Sequence, residues 1–283
     1  MRSLPFIALA LGLAVAAPAG AQTTLDRIKK QGAITLGYID GAAPFSYVDA
    51  KGEPQGYSVD LCRAVAEGLK AQLKRDKLKT RWVKLTIQNR LDAVRRGQVD
   101  VECSTTTWTL GRQALVDFSL IIFVDGASIL AKAGTDVSHL ADYNGKRIAV
   151  ISGTTTEKVL RDALAQRSIK AEVVPVKTRD EGLALLNESR VEGLASDRIT
   201  LIGVVAKSAK GGVFKLLDED FSIEPYALAL PRGDYDLRLA VNRVLARLYR
   251  TGEIRPIYDR WLGPLGPPSL MLSASYFIQG LSE

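Results

Sequence analysis

Two apolar patterns alternate along this chain. Short runs rich in β-branched residues predict strands at Ala33 to Tyr38, Trp82 to Leu85, Val99 to Cys103, Arg147 to Ile151, Glu172 to Val176, Glu192 to Ala195 and Tyr226 to Leu230. Between them, apolar residues recur three and four positions apart, the spacing of one helical face. Leu61, Cys62, Val65, Leu69 and Leu73 make one such face, and Leu91 and Val94 mark a short helix ending at Gly97. Further helices are predicted around Val159, Leu160, Ala163 and Leu164, at Leu183 and Leu186, and over Ile199 to Val205. Leu237, Val241, Val244, Leu245 and Leu248 give a long amphipathic helix, and Ile254 to Trp261 another, stopped by Gly263-Pro264. Phe45 to Tyr57, with a turn at Asp49-Ala50-Lys51-Gly52, reads as a hairpin.

Strands alternating with helices predict an α/β architecture with largely parallel sheets. The pattern runs twice, each time with its own apolar faces, so two lobes are expected. An extended apolar stretch, Leu120 to Ala131, joins them, with Gly126 in its middle. The tail from Pro264 to Glu283 is proline-rich and then weakly amphipathic, and is expected to wrap the surface.

The first 21 residues read differently. Arg2 is a charged start, Leu4 to Ala17 is an apolar run too short to span a membrane, and Ala19-Gly20-Ala21 has the form of a cleavage site. A secretory signal cut after Ala21 is expected, leaving about 260 of the 283 residues, enough for two modest domains. The chain's net charge of +7 falls by one when Arg2 is removed. Its lysines and arginines are spread along the chain without interleaved aromatics, which argues against nucleic acid as a partner. Cys62 and Cys103 can pair in an oxidising compartment or serve as small buried hydrophobes, and sequence does not fix their separation. With them, the one histidine, His139, makes no zinc pattern, so neither a metal nor a cofactor is expected.

Two segments carry candidate binding chemistry. Glu102-Cys103-Ser104-Thr105-Thr106-Thr107 leads from a strand into a row of hydroxyls, and Arg112 follows. Short donors and a planar guanidinium suit a carboxylate. Thr105 and Thr107 face the same way if the segment is extended. The second segment, Ile151-Ser152-Gly153-Thr154-Thr155-Thr156-Glu157, is a strand end, a tight turn and a helix start. Thr154 and Glu157 have capping-box spacing, and free N–H groups there suit either an ordinary cap or an anion. Asp197, after a strand, can pair with an ammonium group or cap the next helix. Phe45, after Pro44, can cover an apolar ligand part or pack in the core.

These pieces, in this order, resemble the periplasmic amino-acid-binding proteins of ABC importers (bacterial solute-binding protein family 3), nearest to the glutamate/aspartate-binding group. The resemblance covers roughly residues 24–275. It rests on Thr24-Leu25-Asp26-Arg27-Ile28, Pro44-Phe45-Ser46-Tyr47, Gln88-Asn89-Arg90, Glu102-Cys103 through Arg112-Gln113, Ile122-Phe123-Val124 and Ser152-Gly153-Thr154-Thr155.

It implies a type II two-lobed periplasmic-binding-protein fold, with the ligand in a cleft between lobes joined by strands near Phe123 to Ser128 and Ile223 to Leu228. Residues 22–125 with 227–263 would form one lobe, 126–226 the other, and 264–283 a tail on the surface. Arg112 would hold the ligand's α-carboxylate, helped by Thr105, Thr107, Thr154 and Thr155, and Asp197 its ammonium. Where acidic-amino-acid binders carry an arginine after the first strand, this chain has Ile39, leaving Arg179 to read a side-chain carboxylate. Trp108 replaces a small polar residue near the entrance.

The implied function is a monomeric periplasmic receptor that closes on an L-amino acid, acidic or else neutral, and docks on a membrane permease. The alternative is a cyclohexadienyl (arogenate/prephenate) dehydratase on the same fold, with Glu102 or Asp40 as general acid. A ligand carrier for sensing is a third reading.

Overall fold

The computed structural model describes residues 23–207 and 213–282. The expected signal segment lies outside them.

In chain order the first lobe contains α1 (Thr24–Gln31), β1 (Ala33–Ile39), the hairpin β2 (Tyr47–Val48) and β3 (Pro54–Gln55), α2 (Tyr57–Gln72), β4 (Lys79–Leu85), α3 (Arg90–Arg95), β5 (Val101–Glu102), α4 (Leu110–Gln113) and β6 (Val116–Asp125). The chain then builds the second lobe from β7 (Ala127–Lys132), β8 (Arg147–Ile151), α5 (Thr155–Gln166), β9 (Glu172–Val176), α6 (Arg179–Asn187), β10 (Gly193–Asp197), α7 (Arg198–Lys207) and β11 (Phe214–Leu216). It returns through β12 (Glu224–Pro231), followed by α8 (Tyr235–Thr251), α9 (Ile254–Trp261) and α10 (Leu270–Gln279).

Each lobe has a five-stranded sheet, ordered β4-β1-β5-β12-β6 in the first and β11-β7-β10-β8-β9 in the second. Both are mixed, not largely parallel as the alternation predicts. β1 runs parallel to β4 and β5, and β8 to β9 and β10, whereas β12 and β7 run antiparallel to their neighbours. The reason is the connection. β6 passes directly into β7 across Gly126, and β12 returns beside β6, so these strands need no helical crossover. A side chain at position 126 would collide with the Asp220 carboxylate, its Cβ only 2.7 Å from Cγ.

The strands are apolar on both faces because helices cover both. In β8, Ile148 and Val150 join one core, with Ile129, Leu160 and Leu164, while Ala149 and Ile151 join the opposite one, with Leu186 and Leu194. The first lobe repeats this: Leu228 and Leu230 of β12 meet α2 and α8, and Ala227 and Ala229 meet the core around Val94 and Phe118.

Three local expectations resolve here. Cys62 and Cys103 form a disulfide, with Cα atoms 6.2 Å apart, tying α2 to the strand end that carries the hydroxyl row. Phe45 is fully buried among Tyr57, Phe123 and Tyr226, with ring centroids 4.9–5.8 Å away, so it belongs to the core and does not cover a ligand. Within the tail, α10 lays Leu272 and Tyr276 into the first lobe, where the Tyr276 hydroxyl donates to the Ile122 carbonyl at 3.0 Å. Its opposite side, including Leu270 and Phe277, is exposed.

Candidate functional site

The hydroxyl row leaves β5 at the carboxyl end of parallel strands β1, β4 and β5, the edge at which open α/β sheets take ligands. It stays extended because β12 holds it. Ala227 N–H donates to the Thr106 carbonyl at 3.1 Å, and Trp108 N–H to the Pro225 carbonyl at 2.7 Å. Trp108 itself packs near Phe118, away from the cavity described below. Thr109 caps α4, and Arg112 on that helix turns back to donate from Nη1 to the Thr107 carbonyl at 2.9 Å. Burial and the nearby Arg90 charge pull the Arg112 guanidinium down to about 10, against the opposing pull of Glu224, Asp197 and Glu102.

The second segment caps α5 at Thr154, but Glu157 reaches the N–H of Gly153 and not that of Thr154, so the reciprocal box that the spacing predicts is shifted by one residue. Gly153 turns at φ +77°, Thr154 Oγ1 accepts the Glu157 N–H, and Glu157 accepts the Gly153 N–H. Thr154 Oγ1 also donates to the Ile151 carbonyl, so its hydroxyl is committed to the turn. Thr155 differs. It donates to Glu224 at 2.8 Å and so receives its other bond, at 3.1 Å, from Thr107 of the first lobe. Thr156 donates to Asp197 Oδ1 at 2.9 Å.

These groups enclose a cavity of about 30 Å³ between the lobes. That is room for about two water molecules, so an amino acid enters only if the lobes part. Of the eight residues expected at the site, Thr105, Thr107, Thr154, Thr155, Arg179 and Asp197 line it. Arg112 stands behind Thr107 and Phe45 lies in the core.

Arg90 lines the cavity too, a residue to which the sequence pattern assigns no role. It is the first residue of α3 and is buried with Ala93 and Val94, three and four positions on, so its helical spacing was the available signal. Arg90 donates from Nη1 to the Ile87 carbonyl, and Arg179 reaches across the cleft to the Gly41 carbonyl and to Ser196 Oγ. In both, the buried Nε lacks a hydrogen-bond partner. Burial pushes both guanidiniums down. Nearby, both carboxylate oxygens of the fully buried Glu102 lack hydrogen-bond partners, and burial pushes that group up. Glu224, also raised by burial, accepts from Ser222 and Thr155. Among the described residues, Arg90, Arg112 and Arg179 form no salt bridge with any of these acids.

Buried charges that do not satisfy one another raise the free energy of the site until a charged partner pairs with them. Hydroxyls, guanidiniums and Asp197 around one small cavity match a molecule carrying both signs.

The sequence pattern of the bacterial extracellular solute-binding proteins, family 3, matches residues 34–264. The chain belongs to that family. Over 252 residues it is 34% identical to an L-glutamate/L-aspartate-binding protein of Pseudomonas aeruginosa, covering 88% of this chain and 83% of the relative. A glutamate/aspartate import solute-binding protein of Escherichia coli is 31% identical over 271 residues, 94% of this chain and 89% of the relative. Among solved structures, an ancestral arginine-binding protein bound to arginine superposes with a TM-score of 0.74 at 27% identity, over 82% of this chain and 99% of the other. The ancestral amino acid-binding protein AncCDT-1, a precursor of cyclohexadienyl dehydratase, gives 0.72 at 27% identity, over 84% and 99%. The fold is the type II periplasmic-binding-protein fold, and the relatives are named as binding proteins, not enzymes.

Proposed function

We propose that this family 3 protein is the extracytoplasmic receptor of an amino-acid ABC importer and that it binds glutamate or aspartate by closing its lobes. The observation that carries this reading is a pair of buried guanidiniums, Arg90 from the first lobe and Arg179 from the second, each with an unpartnered Nε–H, in a cavity whose other polar walls are hydroxyls and Asp197. Two cations beyond the α-carboxylate reader Arg112 favour a ligand with a second carboxylate. Arg112 acts with Thr105, Thr107 and Thr155 on the α-carboxylate, and Asp197 takes the ammonium. Arg90 supplies the positive charge that Ile39 does not.

The sheets support lobes of 22–125 with 227–263 and of 126–226, hinged at Gly126 and ahead of Glu224, with the 264–283 tail packed on the first lobe. The mature protein begins at Gln22 in the periplasm, acts as a monomer and docks transiently on its permease. Among the described residues no helix is long and apolar enough to cross a membrane. The naming of the relatives as binding proteins weighs against the dehydratase reading.

A thermal-shift screen of the mature protein against the common amino acids tests the proposal. Glutamate and aspartate should raise the melting temperature most. If no amino acid raises it, the receptor reading is wrong.

A further inference from the structure

A second space lies directly outside the ligand cavity. It is a groove of about 580 Å³ between the lobes, and Ile87 and Arg179 belong to its walls and to those of the inner cavity alike. The Arg179 guanidinium is therefore the partition between the two. The groove alone has the volume of a small-molecule site, whereas the inner cavity does not.

Most of its exposed surface is apolar, although Thr86, Gln88, Thr178 and Thr200 also line it. Ile39, Ala43, Leu85 and Ile87 come from the first lobe and Val204 from α7 of the second. Lys84 and Asp40 also line it but pair with each other at 2.9 Å, and Lys177 and Asp180 contribute opposite charges on the second lobe's wall. Ile39 sits at the end of β1 with only 6% of its surface exposed. It adds no charge to the wall at that point. Gly203 helps keep the walls close, since a Cβ there would lie 2.5 Å from the Ala43 carbonyl oxygen.

We infer that this groove is the outer half of the ligand site and receives an uncharged alkyl group attached through an amide to the side chain of an acidic amino acid. This rests on the receptor reading above. The α-carboxylate and ammonium keep their partners in the inner cavity. The side-chain amide carbonyl accepts from Arg90 or Arg179, whose Nε–H groups are unsatisfied. The alkyl group passes the guanidinium into the groove and meets Ile39, Leu85 and Val204. Each buried methylene strengthens binding about fourfold.

Calorimetric titration of the mature protein with L-glutamate, L-glutamine and γ-L-glutamylethylamide tests this. The ethylamide should bind about tenfold more tightly than glutamine, since the two differ only in the group placed in the groove. Val204→Trp, which narrows the groove, should abolish that advantage, leaving the ethylamide no tighter than glutamine in the same variant. The inference is overturned if the ethylamide binds no better than glutamine, or if Val204→Trp leaves the ethylamide's advantage over glutamine intact. If glutamate, glutamine and the ethylamide all fail to bind, the glutamate/aspartate reading on which the inference rests falls with it.

Discussion

Arg90 and Arg179 reach one cavity from opposite lobes, and each carries a buried Nε–H that nothing among the described residues accepts. Their like charges oppose closure, and an anionic ligand group between them would relieve that opposition. Arg90→Ala should weaken glutamate and aspartate by roughly 2–5 kcal/mol, the range for removing one partner of a buried charge pair. Glutamine should lose far less. Equal losses for glutamate and glutamine in calorimetry would remove Arg90 as the reader of a side-chain carboxylate.

On the proposed reading, Arg112 serves the α-carboxylate, from behind Thr107. Its Nη1 holds the Thr107 carbonyl, so it positions the hydroxyl row as well as supplying charge. Arg112→Ala should therefore reduce binding of acidic and neutral amino acids alike, nearly abolishing it. Arg112→Lys should recover little, because an ammonium cannot present the planar fork. Wild-type affinity in either variant would show that the α-carboxylate binds elsewhere.

Asp125, at the end of β6 beside the Gly126 crossing, should make stability pH-dependent. Burial and the neighbouring Asp197 charge push it from 3.8 up to about 7, while it accepts from the Tyr226 hydroxyl at 3.1 Å and the Ile199 N–H at 3.2 Å. Between those two values the folded state binds more protons than the unfolded chain, so stability falls as pH rises through that window. Urea denaturation should show the wild type losing up to about 4 kcal/mol from this group between pH 4 and 8. Asp125→Asn should flatten the slope. An unchanged slope in the variant would assign the dependence to other groups.

The Cys62–Cys103 bond closes a loop with a sequence separation of 41 residues. A loop of that length constrains the unfolded chain by roughly 3–4 kcal/mol. The double variant Cys62→Ala, Cys103→Ala should lose about that much in urea denaturation. Its ligand affinity should fall as well, because the bond anchors the strand end from which Thr105 and Thr107 project. Stability within about 1 kcal/mol of wild type would show that packing of α2 already supplies the constraint.

Local order along the chain was enough for every feature that depends on neighbours in sequence. The Ser152 to Glu157 turn is an example. A glycine, a threonine and a glutamate at capping-box spacing make that cap whatever surrounds them, because the bonds run between residues three and four apart. The helical faces of α2 and α8 and the doubling of the α/β pattern are of the same kind, and the ordered match of several segments carried the family. Tertiary structure decided what depends on distance through space. It placed Phe45 in the core and joined Cys62 to Cys103. It turned one strand of each sheet, β12 and β7, antiparallel to its neighbours, and it brought Arg90 to the cavity of Thr155 and Asp197, with Glu224 bonded to Thr155 and Glu102 buried nearby. Their chain positions are scattered from the first lobe to the last strand, and only burial, which strips water from their charges, gives them a shared purpose.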